Sequence, residues 1–180
     1  MDEPERAPWL VLGIGNELFH DEGLGIEAAK RLQALQLPGV EVLDGGTLGL
    51  AITPEMEGRR GVLVFDAVVG GGAIAGDVLV LRDEEIPATR QMLMSVHQIG
   101  VVDAILASEL TGRRPDRIAA CGIVPHSLEV GWGLTPETEA RMPALIAAGL
   151  GILAEWGAID PSTGERLSAA LQLEGERPHA

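Results

Sequence analysis

The chain contains one cysteine, few basic residues and no apolar run long enough to cross a membrane. A single cysteine, Cys121, excludes an intramolecular disulfide and any metal site built from several cysteines. Cys121 lies in the apolar segment 118–124, a context that predicts a small buried core residue. The first residues are acidic, whereas a signal peptide begins with basic residues, so we expect a cytoplasmic protein.

The shortage of basic residues leaves the chain strongly acidic. Aspartate and glutamate number 27 against 13 lysines and arginines, which gives a formal net charge of −14. Such a surface repels nucleic acids and anionic membranes, so we expect neither as a partner. Solubility alone explains this charge, and a basic or metal-bearing partner is compatible with it.

Several common catalytic and nucleotide-binding motifs are absent. Gly13-x-Gly15 lacks the third glycine of the dinucleotide fingerprint, because Leu18 occupies its place. The sequence contains no phosphate-binding loop with Gly-Lys-Ser/Thr, no His-Glu-x-x-His and no Gly-x-Ser-x-Gly. Ser95 and Ser127 are predicted to be turn or cap residues. If the protein is a hydrolase, its nucleophile is therefore expected to be a water activated by a metal or a carboxylate.

Strand and helix patterns alternate along the chain, which is typical of crossover units on a parallel sheet. Uninterrupted apolar runs predict strands that are buried on both faces. The short glycine-rich connection before the fourth strand is too short for a helical crossover, so we expect that strand to be an antiparallel edge strand. The predicted strands are Trp9–Leu12, Val40–Leu43, Gly61–Phe65, Asp77–Leu81 and 118–124.

Three longer helices are predicted between and after these strands. One begins at Leu24, one covers Ile99–Leu110, and one begins at the capping residue Thr135 and runs to Trp156. The pattern decays beyond Asp160. We therefore expect a single domain over residues 1–160 and a loosely ordered C-terminal tail over 161–180.

Three acidic residues follow the carboxyl ends of successive strands. Glu22 comes after the first strand, Asp44 ends the second and Asp66 ends the third. Because carboxyl ends of parallel strands lie at one edge of a sheet, we expect these carboxylates to lie close together. His97 opens a later helix and is the expected fourth member, since imidazole joins carboxylates around divalent metal ions. Together these residues predict a cation site.

Other polar residues in these loops have simpler interpretations. Asp21 is expected to cap the helix that begins at Leu24, and Asp44 could serve the Gly45-Gly46 turn through its side chain. His20 and His126 are loop histidines for which solvent exposure is favoured.

The motifs around these residues jointly resemble those of the [NiFe]-hydrogenase maturation endopeptidases. The resemblance extends from Trp9 to Trp156, in order and at compatible spacing. The matching segments are Gly13-Ile14-Gly15-Asn16, Asp21-Glu22-Gly23-Leu24-Gly25, Asp44-Gly45-Gly46-Thr47, Phe65-Asp66-Ala67, Val96-His97-Gln98 and Gly133-Leu134-Thr135-Pro136.

The resemblance implies a three-layer α/β/α fold with a twisted, mostly parallel sheet. It also implies that Glu22, Asp66 and His97 contact nickel carried by the substrate and that Asp44 lies near the site. We expect Glu22, Asp66 and Asp44 to be the catalytic residues, and we expect the resting enzyme to hold no tightly bound metal. The substrate would be the nickel-loaded precursor of the hydrogenase large subunit, cleaved to release a short C-terminal peptide. Glu22 or Asp66 would activate the hydrolytic water. We expect a monomer.

Three alternatives stay open at this point. The same acids and histidine could serve a non-catalytic nickel chaperone. A metal-dependent hydrolase of the aminopeptidase type would need a fuller metal cage. A nucleotide-binding module is the weakest alternative, given the incomplete glycine fingerprint and the acidic surface.

Overall fold

The structure, a computed structural model, describes residues 6–68, 72–83, 85–88 and 96–175. Its strands are β1 (Trp9–Ile14), β2 (Val40–Gly46), β3 (Gly61–Ala67), β4 (Val78–Arg82) and β5 (Ile118–Ile123). Its α-helices are α1 (Leu24–Ala34), α2 (Thr53–Met56), α3 (Glu85–Ala88), α4 (Val96–Leu110), α5 (Pro136–Glu139), α6 (Met142–Glu155) and α7 (Pro161–Gly175). Two short 3-10 helices cover His20–Gly23 and Gly49–Ile52.

The five strands form one mixed sheet in the order β2-β1-β3-β5-β4. All neighbouring strands are parallel except β4, which pairs antiparallel with β5 at the edge of the sheet. The predicted mostly parallel sheet with one antiparallel edge strand is therefore confirmed. None of the helices in the described ranges has the length and apolar character that crossing a membrane requires.

Alternating side chains of the central strands enter two separate hydrophobic clusters. Leu10, Leu12 and Val64 face a cluster that includes residues of α2 and α4. Leu63 and Phe65 face the other cluster, which includes residues of α1 and α6. Both faces of the sheet are thus covered by helices, as predicted from the uninterrupted apolar runs. The result is the three-layer α/β/α arrangement.

The last predicted helix differs from its prediction in one respect. The helix predicted from Thr135 to Trp156 is divided into α5 and α6. Thr135 does cap α5, since its hydroxyl oxygen accepts the N–H of Thr138 at 3.3 Å. Pro143 lacks an N–H, and its ring would clash with the carbonyl four residues earlier, so the first helix ends before it and a second one begins.

Residues 161–175 form a helix, in contrast to the loosely ordered tail that the sequence predicted. Leu167 and Leu171 pack against the cluster on the α6 side of the sheet. The start signal is present in the sequence, because the Asp160 carboxylate accepts the N–H of Ser162 at 2.9 Å and Pro161 occupies the first helical position. The weak periodicity after Pro161 concealed it.

Helix α1 approaches the sheet closely enough to exclude any side chain at its second residue. A Cβ at Gly25 would lie 2.2 Å from the carbonyl oxygens of both Ile14 and Phe65. These oxygens belong to β1 and β3, so the start of α1 rests on the carboxyl ends of the two central strands. This contact fixes where the segment that precedes α1 lies.

The substitution Gly25→Ala is expected to destabilise the protein by about 1–3 kcal/mol or more, because the backbone on both sides would have to move. Gly151→Ala is the matched control: Gly151 lies in α6 with no atom within 4 Å of a Cβ built there. That substitution should stabilise the helix by roughly 0.5–1 kcal/mol. Urea unfolding of both variants measures the difference, and equal midpoints would contradict the close contact.

Candidate active site

A tight backbone turn after β1 determines the position of Glu22. β1 ends at Ile14, and the following Gly15 has a φ of 141°, which side chains disfavour. A Cβ at Gly15 would lie 1.9 Å from the carbonyl oxygen of Glu22. The Asn16 N–H donates to that same oxygen at 3.2 Å. The chain therefore folds back at the carboxyl edge of the sheet and leaves Glu22 half-buried there.

Asp66 lies in β3, one residue before its end, and is 5% exposed. Its Oδ1 accepts the N–H of Ala67 at 2.7 Å. Burial raises the pKa of the Asp66 carboxyl well above its ordinary value, and the negative charge of Glu22 raises it further, while the hydrogen bond from Ala67 opposes both. Glu22 and Asp66 thus lie at the same edge of the sheet, and the charge of Glu22 acts on Asp66. Their membership of a common site stays a prediction.

Asp44 stands at the same edge of the sheet but differs in its surroundings. It is exposed, pairs with Gly13 across the sheet, and accepts the N–H of Gly46 at 2.9 Å through its Oδ1. Its charge is one of several that raise the pKa of Lys30, after the larger effect of a hydrogen bond from that lysine to Glu17. The predicted role in the Gly45-Gly46 turn is confirmed.

His97 is the second residue of α4, so it does open a helix as predicted. Its side chain lies outside the described part of the structure, and its approach to the carboxylates stays a prediction. Among the residues whose side chains are described, no group of three or more histidine, cysteine, aspartate or glutamate residues is arranged to hold a metal ion.

Asp21 has a different role from the helix cap that the sequence predicted. The residue at the cap position of α1 is Gly23, and no side chain caps that helix. Asp21 is fully buried, and its carboxylate accepts the N–H groups of His126 at 2.9 Å, Ser127 at 3.0 Å and Thr135 at 2.8 Å. The capping prediction was wrong because these partners lie more than 100 positions away, and nothing in the local sequence points to them.

The buried Asp21 carboxylate favours its charged form because hydrogen bonds from the loop 126–135 and from Thr138 offset the cost of burial. Burial acts to raise the pKa of Asp21, but hydrogen bonds from Thr135, Thr138 and Ser127 together outweigh burial and lower it. Backbone hydrogen bonds strengthen the same junction: the His20 N–H donates to the Gly131 carbonyl at 2.9 Å. The segment that carries Glu22 and the loop 126–135 therefore form one hydrogen-bonded unit.

The two loop histidines differ from one another. His126 is exposed, as predicted, with its Nδ1 3.1 Å from the Thr138 hydroxyl oxygen. His20 is half-buried, and its Nδ1 lies 2.9 Å from the carbonyl oxygen of Gly133. Its ring packs so closely on Gly131 that a Cβ there would lie 1.9 Å from its Nε2. The exposure predicted for His20 is therefore wrong.

Cys121 is fully buried in β5, as the sequence predicted. Burial raises the pKa of its thiol to about 12. A thiol with that pKa is almost entirely protonated at neutral pH, and a protonated thiol is not an effective nucleophile. Cys121 is therefore not suited to act as a nucleophile.

Asp21→Ala is expected to lower the free energy of unfolding by several kcal/mol, because each buried donor left without a partner costs roughly 1–3 kcal/mol. Asp44→Ala is the matched control, since it removes an exposed carboxylate with one local N–H partner. That change should cost about 1 kcal/mol or less. Denaturant unfolding compares the two variants. Similar losses of unfolding free energy would contradict the role of Asp21 as the acceptor that holds the loop 126–135.

Asp66→Asn is expected to make the protein more stable than the wild type as pH rises. The folded-state pKa of Asp66 lies above its unfolded value, so between the two values the unfolded chain is ionised and the folded one is not. The wild type then loses up to about 1.4 kcal/mol per pH unit relative to the variant, beginning near pH 4. Thermal unfolding from pH 4 upward measures this, and a constant difference would refute the raised pKa.

Comparisons with known proteins identify the family of this chain. The HycI family of hydrogenase maturation proteases matches residues 26–152. The hydrogenase 2 maturation protease of Escherichia coli K12 is 39% identical over 150 residues, which are 82% of this chain and 92% of the relative. The hydrogenase expression/formation protein HupD of Rhodobacter capsulatus is 38% identical over 173 residues, covering 94% and 80% of the two chains.

Solved structures agree with the sequence relatives. The hydrogenase maturating endopeptidase HybD of Escherichia coli superposes with a TM-score of 0.78 at 37% identity, over 85% of this chain and 94% of that one. The [NiFe] hydrogenase maturation protease HybD of Thermococcus kodakarensis gives a TM-score of 0.69 at 27% identity, over 82% and 99%. The chain therefore belongs to the family of hydrogenase maturation proteases.

Proposed function

We propose that Glu22, Asp66 and His97 form the site at which this protease cleaves the precursor of a [NiFe]-hydrogenase large subunit. Membership of the family makes the chain a hydrolase of peptide bonds that trims the C-terminal peptide of that subunit. It supports this activity over the nickel chaperone and the aminopeptidase. The observation that carries the site assignment is the position of Glu22 and the buried Asp66 at the carboxyl edge of β1 and β3, where the charge of Glu22 helps to raise the pKa of Asp66.

Asp66 is the residue best suited to move a proton. A carboxylate whose pKa is raised by burial is a stronger base than an exposed one, and it can return the proton to the leaving amine. Its Oδ1 is oriented by the Ala67 N–H, which holds the carboxyl group in one position. We assign to Asp66 the activation of the hydrolytic water. The protease would then be of the aspartyl type, because an aspartate carboxylate activates the attacking water.

Glu22 and His97 are assigned to recognition of the nickel that the precursor carries. Carboxylate and imidazole are ligands that first-row divalent ions accept, and thiolates of the precursor would complete the coordination. A precursor without nickel would present no positive charge to the adjacent carboxylates, so it would be rejected electrostatically. Nickel is in this proposal part of the substrate and not a resident cofactor. Asp44 accepts the Gly46 N–H and so supports the turn beside this site. We assign the main catalytic role to Asp66 and a smaller one to Asp44.

The decisive experiment combines purified protein with nickel-loaded and nickel-free precursor and follows the precursor mass. The wild type should shorten the loaded precursor only. Asp66→Ala and His97→Ala should each lower the rate at least about 100-fold, the range of a lost acid-base or ligand group. Processing of either precursor at the wild-type rate by these variants would refute the site assignment.

Cys121→Ser is the control for this experiment. The thiol is buried and outside the proposed site, so the variant should process the loaded precursor at close to the wild-type rate. Its free energy of unfolding should fall by about 1–3 kcal/mol, because a hydroxyl replaces a thiol in an apolar setting. Loss of processing in a folded Cys121→Ser variant would instead favour a thiol nucleophile.

A further inference from the structure

Exposed apolar side chains of this protein are concentrated at one edge of the sheet. Among the described residues, the large hydrophobic side chains that are substantially exposed are Leu18, Leu48, Leu50, Ile74, Leu110, Leu128, Val130 and Trp132. All of these except Leu110 lie in connections at the carboxyl edge, where Glu22 and Asp66 also lie. Leu110 ends α4 beside the opposite edge, since Arg113 just after it bonds to Gly58, ahead of β3.

Four of these side chains belong to two loops that are joined by a backbone hydrogen bond. Leu18, Leu128, Val130 and Trp132, which we term the apolar rim, are 58%, 44%, 81% and 73% exposed. Leu18 is joined to the others by the backbone, because the Gly131 N–H donates to the Leu18 carbonyl at 2.9 Å. Exposed apolar patches of this kind commonly mark binding surfaces for other proteins.

The apolar rim is held in place before any partner arrives. The buried Asp21 carboxylate binds the loop at both ends, through Ser127 N–H and Thr135 N–H. The His20 ring packs against Gly131, between Val130 and Trp132 in sequence. A surface that is already ordered loses little conformational entropy on binding, so its apolar area is available for affinity.

The same hydrogen bonds connect the apolar rim to the proposed active site. Leu18 lies four positions before Glu22, and the Glu22 N–H donates to the carbonyl of Phe19 at 3.0 Å. A protein whose C-terminal segment reaches Glu22 and Asp66 must therefore approach the edge of the sheet that carries the rim. The occupant is then the substrate itself, because the rim is continuous with the surface that the scissile segment must approach.

We propose that Leu18, Leu128, Val130 and Trp132 dock the folded body of the hydrogenase large-subunit precursor, and that this contact supplies much of the affinity for the substrate. The proposal rests on the proposed function, since it takes the precursor as the substrate of the Glu22–Asp66 site. Tryptophan is among the residues most often found as an energetic hot spot in protein interfaces. Trp132, the most exposed indole of the described chain, is thus the expected anchor.

The kinetic test compares Trp132→Ala with Leu110→Ser as its matched control, because Leu110 is 90% exposed but lies at the opposite edge. With nickel-loaded precursor, Trp132→Ala should raise KM at least about 30-fold, the effect of a typical hot spot, with kcat unchanged. Leu110→Ser should change neither. A wild-type KM for Trp132→Ala would overturn the proposal while leaving the proposed function intact, and so would a loss confined to kcat.

A binding measurement tests docking without requiring cleavage. The Asp66→Asn protein is labelled with 5-fluorotryptophan, and the fluorine resonance of Trp132 is assigned by its absence in Trp132→Ala. Unlabelled nickel-loaded precursor should shift that resonance and leave those of Trp9 and Trp156, which stack with centroids 6.0 Å apart, in place. An unshifted Trp132 resonance in the presence of bound precursor would overturn the proposal.

This binding measurement also distinguishes a failure of the docking proposal from a failure of the proposed function. If the wild type fails to process the precursor but the Trp132 resonance shifts on binding, docking stands and the proposed function fails. Sedimentation of the enzyme alone tests whether the rim instead binds a second copy of the chain. A dimer that Trp132→Ala dissociates would overturn the assignment of the rim to the substrate.

Discussion

The contact between the start of α1 and the ends of the two central strands sets the geometry of this protein. Gly25 rests on the carbonyl oxygens of Ile14 and Phe65, so helix and sheet meet backbone to backbone. The residues just before α1 therefore lie across the carboxyl edge of β1 and β3. Glu22 lies at the same edge as Asp66 for that reason, and its charge helps to raise the pKa of that carboxyl.

Asp21 and Asp66 show how neighbouring acids obtain opposite properties from burial. Both are buried, but Asp21 receives several hydrogen bonds from the loop 126–135, and these hold its pKa low. Burial raises the pKa of Asp66, the nearby charge of Glu22 raises it further, and the hydrogen bond from the Ala67 N–H does not outweigh them. One carboxylate is thus a fixed anion that organises a loop, and the other is suited to exchange a proton. The number of donors around each oxygen determines the difference.

Much of the fold follows from patterns that the sequence displays locally. Uninterrupted apolar runs identify strands buried on both faces, and the short glycine-rich link before β4 correctly predicts an antiparallel edge. Residues at strand ends point to Glu22 and Asp66, because parallel topology gathers such ends at one edge. Asp160-Pro161 is a local start signal for α7, but the weak apolar stripe after it hides the helix.

Long-range interactions account for what the sequence did not reveal. Asp21 resembles a helix cap in its local context, and only the folded chain shows that it binds residues 126–135. The contact between His20 and Gly131 is of the same kind. The exposed positions of Val130 and Trp132 also depend on how that loop is held, since the neighbouring sequence does not show whether an apolar loop residue is buried. Local patterns carry no information about partners so distant along the chain.

The direction in which the chain enters the sheet has a practical consequence for handling the protein. Pro8 precedes β1 and accepts a hydrogen bond from Arg60, which lies just ahead of β3, so the chain reaches the sheet at its amino edge. A fusion partner or immobilisation handle attached ahead of β1 would therefore join the described part of the chain at the edge opposite the carboxylates. Capture on a surface through the N-terminal side leaves the carboxyl edge open to a large macromolecule.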